Sequence, residues 1–179
     1  MGKVFQGTLT ALTGEIKNHQ YEHANIMITE STVSSDEVTI KAPVELVWKI
    51  LLDFDNYGAW NGFCPSVKNE SLEIGSAVDM MVDLGSGPSQ QVEYICRIEP
   101  MRCIAWQMEN KENDPVHAVR SQFLKALDES SCTYISIDEF SGPEKDSMMR
   151  HFAPAVEAGF NRCAYDLKKF AEETFAHQA

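Results

Sequence analysis

Glu139 is the residue whose position most invites chemistry. It continues the alternation of Ile135 and Ile137 at the end of an apolar–polar run, just before a long helical pattern. If that alternation points inward, the carboxylate is pressed towards apolar surroundings. Loss of hydration would then raise its pKa and suit it to general acid or base work. Two blander placements compete: the strand end can twist Glu139 into solvent, or pair it with Arg97 or Arg150. The histidines (His19, His23, His117, His151, His177) show neither HxH nor HExxH spacing, so neither a metal site nor a cofactor is expected. No serine or cysteine sits in a GxSxG elbow. Cys64, Cys96, Cys103, Cys132 and Cys163 are odd in number and form no CxxC pair, so free thiols are expected rather than disulfides.

The helix that follows Glu139 organises the chain. Ser141-Gly142-Pro143-Glu144 has capping-box spacing, with Pro143 placed for the first turn. Phe152, Val156, Phe160, Cys163, Leu167 and Phe170 then recur every three or four residues, one apolar stripe of period 3.6. Glu157, Arg162, Asp166, Lys168, Lys169 and Glu172 take the other face. Such a helix is a rod of roughly 45 Å. Pro154 removes one ladder bond and should kink it, and Gly159 lets another element approach closely.

Upstream, Val38–Lys41 alternates as a half-buried strand. Pro43 can open a helix carrying Val44, Val47, Trp48 and Leu51, and Asp53 can open a second, short one. Six strands follow with short connections. They run over Val67–Ile74, around Val78–Leu84 and Val92–Ile98, through Ile104–Met108, and over Val116–Leu127 and Thr133–Phe140. Gly85-Ser86-Gly87 reads as a hairpin tip. Consecutive strands with short turns make an antiparallel meander, and grouped strands and helices place the chain in the α+β class.

The chain has 179 residues, 44% hydrophobic and 23% charged, which suits one globular domain. A formal charge of −12 argues against nucleic acid and anionic membranes as partners. No apolar run approaches the ~20 residues of a membrane span, so no membrane insertion is expected. The first residues lack a signal-peptide core, and a cytoplasmic location is expected. Residues 1–34 read as an extension with an extra strand around Asn25–Thr29, and 35–179 as the domain proper.

Ala42-Pro43-Val44-Glu45-Leu46-Val47-Trp48, then Asp53-Phe54-Asp55-Asn56-Tyr57 and Trp60-Asn61-Gly62-Phe63, resemble the opening of the SRPBCC superfamily of START-like and birch-pollen-allergen-like proteins. The pattern is most similar to the polyketide cyclase/dehydrase group, with Gly62 where members often carry proline. Glu99-Pro100-Met101-Arg102 and Glu139-Phe140-Ser141-Gly142 are also similar to it. The resemblance spans about residues 35–175. It implies a helix-grip fold: a curved, seven-stranded antiparallel sheet around a long C-terminal helix, with two short helices after the first strand.

The resemblance also implies a cavity between sheet and helix that holds a hydrophobic, aromatic or polyketide-like small molecule. Its expected lining is Trp60, Phe63, Met80, Val82, Tyr94, Trp106, Met108, Phe123, Phe152, Val156 and Phe160, because such sites are mostly apolar. A filled core remains the alternative, and Trp60 with Asn61 can instead fix a turn. If the protein is an enzyme of the cyclase/dehydratase type, Glu139 and Tyr94 are the candidate proton carriers for ring closure or loss of water.

Overall fold

The structure, a computed structural model, describes residues 27–178. Strand β1 (Thr32–Ser34) and strand β2 (Val38–Ile40) precede helix α1 (Val44–Leu52) and a 3-10 helix over Phe54–Ala59. Then come β3 (Ser66–Asn69), β4 (Ala77–Asp83), β5 (Pro88–Glu99), β6 (Cys103–Gln107), β7 (His117–Asp128), β8 (Ser131–Ser141) and α2 (Lys145–Ala176). The strands form one antiparallel sheet in the order β1-β8-β7-β6-β5-β4-β3, with β2 also paired to β8. This is the expected α+β helix-grip arrangement with one strand more. Thr32–Ser34, placed in the extension by sequence, is a strand of the sheet. Of the strand expected at 25–29, Asn25 and Ile26 lie outside the described residues, and Ile28 makes an isolated bridge to Val33.

Helix α2 holds the sheet through its apolar stripe. Met149, Ala153, Val156, Gly159, Phe160, Cys163, Ala164, Leu167 and Ala171 are all buried. A fully buried Leu or Phe contributes about 1.5–3 kcal/mol, so Phe160 and Leu167 anchor this packing. The capping box does not form. Ser141 is the last residue of β8, Gly142 turns the chain at φ +97, and α2 starts at Lys145 without a side-chain cap. The Glu144 N–H instead donates to the Pro115 carbonyl at 2.8 Å, tying the helix entry to the β6–β7 loop. The expected strand Val67–Ile74 shrinks to β3, because the chain turns away after Asn69, whose Nδ2 donates to the Ala77 carbonyl at 2.7 Å.

Sheet curvature has a local cause. A register shift between Ile95 and Arg97 makes Cys96 the extra residue of a β-bulge in β5, and another lies between Ala126 and Asp128 in β7. Each bulge bends its strand and raises its twist, so the sheet can wrap the helix. Asn61 fixes the turn before β3, its Oδ1 accepting from the N–H groups of Phe63 (3.1 Å) and Cys64 (2.9 Å). At Gly62, where the resemblance would place a proline, the N–H donates to Asp166 Oδ2 on α2 at 3.0 Å. Proline has no such donor.

Gly159 is where the Phe63 ring meets α2; a Cβ there would overlap that ring. Gly159→Val is therefore expected to lower stability by about 1–3 kcal/mol through overpacking. A denaturation midpoint at or above wild type would refute the contact.

Candidate functional site

Strand register decides which side chains face α2. Val78, Met80 and Val82 of β4 are buried on that face, and Val78 pairs with Glu93 of β5. Ile95 pairs with Trp106 of β6, Trp106 with Arg120 of β7, and Arg120 with Asp138 of β8. Gln122 and Ser136 form the next pair along, and Leu124 and Tyr134 the one after. The layer under α2 thus carries a polar group, Glu93, Arg120, Gln122, Ser136 and Asp138, inside an apolar frame.

Arg120 is its centre, with only 6% of its surface exposed. Its guanidinium carbon lies 4.3 Å from the Phe160 ring centroid, 5.2 Å from Phe63 and 5.6 Å from Trp106. A cation within about 6 Å of a ring face is attracted by the ring quadrupole. Nε donates to Ser136 Oγ at 3.0 Å, and Nη2 to Cys163 Sγ at 3.7 Å. Cys163 also accepts from Asn61 Nδ2 at 3.5 Å and meets the Tyr134 hydroxyl at 3.7 Å. Since Tyr134 gives its proton to Gln122 Oε1 at 2.7 Å, the contact between Tyr134 and Cys163 is made by the thiol proton. Among the described residues no carboxylate lies within 4.0 Å of Arg120, whereas four other cations have such partners.

Three buried polar atoms close to this group have no hydrogen-bond partner: Trp106 Nε1, Gln122 Nε2 and Asp138 Oδ1. Burial pushes the Asp138 carboxyl up to about 8, Glu93 adds to the rise, and Arg120 opposes it. Glu93 keeps part of its surface in solvent, yet enclosure of its carboxyl pushes it up to about 7 against the pull of Arg120. Burial also raises Tyr57 and Tyr134, and lifts Cys64 to about 12. Two carboxyls that exchange protons near neutrality beside a permanent cation can deliver or accept protons at an oxygen held by the guanidinium.

The expected lining divides. Phe63, Met80, Val82, Trp106, Val156 and Phe160 are buried around the sheet–helix interior. Met108 continues the inward alternation of β6 but is 37% exposed at the open end of the sheet, and Phe152 is 53% exposed on α2. Trp60 is elsewhere: its ring meets that of Tyr57 at 5.0 Å, tilted by 59°, and lines a groove of about 190 Å³ with Ile50, Asp53, Asn56, Ala59 and Phe170. A second hollow, of about 400 Å³, lies at the end of α2 around Phe170, Glu173 and His177. Neither lies between sheet and helix, where Arg120 and its rings fill the space.

Glu139, Tyr94 and Phe123 require correction. Glu139 is exposed, paired with Val119 and Thr32 on the face turned from α2, and its neighbour Asp138 takes the inward position. Tyr94 is half-buried on that same outer face, because Glu93 is the residue opposite buried Val78. Phe123 lies outward between buried Gln122 and Leu124. Sequence reasoning missed Arg120, Asp138, Glu93 and Gln122. A usable signal existed: carrying the inward alternation of Val78 and Met80 across the hairpin to β5 marks Glu93. All five cysteines are free thiols. Among the described residues no group of His, Cys, Asp and Glu could hold a metal ion, and no helix is long and apolar enough to cross a membrane.

Residues 31–172 match the protein family described as polyketide cyclase / dehydrase and lipid transport. No curated protein matched the chain. Among solved structures, it is similar to the ZhuI aromatase/cyclase from Streptomyces sp. R1128, with 21% identity and a TM-score of 0.63 over 79% of this chain and 93% of that one. It is similar to the di-domain aromatase/cyclase StfQ of the steffimycin pathway, at 12% identity and a TM-score of 0.62, over 81% of this chain and 52% of that one. A START superfamily protein from Mycobacterium smegmatis matches at 14% identity and a TM-score of 0.59, over 80% and 99% of the two chains. At these identities the likeness is one of fold.

The raised carboxyls link folding to pH. Folded Asp138 and Glu93 hold protons that the unfolded chain has lost above the ordinary carboxylate range, so stability falls as pH climbs towards 7 and 8. Urea midpoints are expected to drop between pH 5 and 8.5, and Asp138→Asn to flatten that slope. A wild-type midpoint that rises over this range would contradict the assignment.

Proposed function

This chain belongs to the polyketide cyclase/dehydrase and lipid-transport family, and from that premise we propose that it binds a hydrophobic, aromatic or polyketide-like small molecule between the sheet and α2, against Arg120. The observation that carries this is the buried guanidinium with no carboxylate within 4.0 Å, caged by Phe63, Trp106 and Phe160 beside unpartnered donors. A buried charge without a counter-charge is unfavourable by several kcal/mol, and a ligand oxygen at this point relieves it. Flat rings suit the ring cage, and Met80 and Met149 are adaptable neighbours. Because Arg120 and its rings fill that space in this structure, a ligand would have to displace side chains there, entering past the first turns of α2, where Phe152 is half-exposed. Pro154 there deprives the Arg150 carbonyl of its N–H partner, which removes one ladder bond from these turns.

A second reading, ring closure or loss of water, is favoured by Asp138. A carboxyl held up to about 8 beside a cation can protonate a ligand oxygen or take a proton from an adjacent carbon at neutral pH. Its check is turnover of a poly-β-ketone thioester, which Asp138→Asn should lower by about 10²–10⁴.

Titration with 1,8-dihydroxyanthraquinone tests the binding itself. It is expected to quench tryptophan fluorescence saturably, and Trp106→Phe to remove most of that quenching. Arg120→Met should weaken the probe by about tenfold or more, since hydrogen bonds to charged groups are worth about 1.5–3 kcal/mol. The same variant should unfold at the same or a higher midpoint, because it deletes an unpaired buried charge. Unsaturable quenching, or equal affinity in Arg120→Met, would overturn the reading.

A further inference from the structure

Resting on that reading, we propose that the ligand is an aromatic monoanion whose negative group meets Arg120, and that Glu93 and Asp138 set the pH range over which the site accepts it. The argument starts from a count of donors. Among the described residues, two buried donors beside Arg120 have no partner: Trp106 Nε1 and Gln122 Nε2. Among the described residues the one buried side-chain acceptor without a partner is Asp138 Oδ1. Trp106 and Gln122 are buried to 2% and 1% exposure, so solvent does not answer their N–H groups. An excess of enclosed donors around one fixed positive charge is the complement of an anion. A neutral carbonyl would occupy donors but leave the cation uncompensated.

Every group facing Arg120 bears on when an anion is welcome. From α2 comes Cys163; from β8, Tyr134 and Asp138; from β5, Glu93; from the 3-10 helix, Tyr57; and from the following turn, Cys64. Glu139 faces Asp138 from the exposed side of β8. Tyr57, Tyr134 and Cys64 are raised by burial, so they stay neutral through the physiological range. Glu93 and Asp138 change charge within it, near about 7 and about 8. On the acid side both are neutral, and the charge of the cluster is that of Arg120. On the alkaline side both are ionised, they answer the guanidinium themselves, and an incoming anion meets repulsion.

Two planar probes of the same shape separate charge from shape: 2-naphthoate, ionised throughout, and neutral 2-naphthamide. With the wild-type chain at pH 6, calorimetry is expected to show naphthoate binding tighter by about tenfold or more, within the usual range of such couplings. At pH 9 that preference should vanish, with naphthamide affinity unchanged. Arg120→Met should abolish the preference at pH 6, and Glu93→Gln combined with Asp138→Asn should retain it at pH 9. Equal affinity for the two probes at pH 6, or naphthoate affinity that does not change with pH, would overturn the anion assignment while leaving small-molecule binding intact. Failure of both probes and of the anthraquinone to bind would overturn both. The wild-type comparison alone decides the question if the double variant does not fold.

Discussion

A guanidinium enclosed with no carboxylate within 4.0 Å is the constraint on which the interior of this protein depends. The effective penalty for burying an ion is several kcal/mol. Three ring contacts, each worth about 2 kcal/mol or more when desolvated, reach the same order. The rings come from three separate places: the turn before β3, strand β6 and helix α2. Ser136 and Cys163 add hydrogen bonds from β8 and α2. The near balance explains why α2 is held so closely over the sheet, and why Gly159 must let the Phe63 ring in. It also means that a modest electrostatic addition tips the site.

The frame was legible because its signals are periodic and redundant. The stripe from Phe152 to Phe170 repeats over a 32-residue helix, and only Phe152 and the half-buried Phe170 depart from full burial. The meander is marked by turn residues, of which Gly75, Gly85 and Gly87 do take positive φ. Less legible were features set by tertiary context. The helix entry is tied to Pro115 instead of capped by its own side chains, and β1 exists because β8 offers it an edge. A three-residue strand carries no period of its own.

The candidate site was mostly hidden, for a specific reason. Strands β7 and β8 carry apolar residues on both alternations, so period 2 does not choose a face. Ile135 and Ile137 look inward-facing until Tyr134 and Ser136 are seen fully buried on the other alternation. The polar residues that fill the inner face, Arg120, Gln122, Ser136 and Asp138, are the types that pattern reasoning assigns to solvent. One residue of phase therefore exchanged Glu139 for Asp138. In β5 the same slip exchanged Tyr94 for Glu93, and the bulge at Cys96 then reversed the alternation beyond it. A functional interior breaks the rule by which interiors are recognised.

The pairing of β1 and β2 with β8 also sets an order of events at the ribosome. Ser35 Oγ accepts from the Ser136 N–H across 101 residues of chain, and the Asp36 N–H reaches Asn161 across 125. These two strands must wait, unpaired, until β8, about a hundred residues further along the chain, has been made. The meander from β3 to β7 can assemble in the meantime, since its neighbours are adjacent in sequence. Its inner face, Arg120 included, then stays open to water until α2, which follows β8 in the chain, arrives to cover it. The guanidinium is thus dehydrated only once the Phe160 ring that lies over it has been delivered.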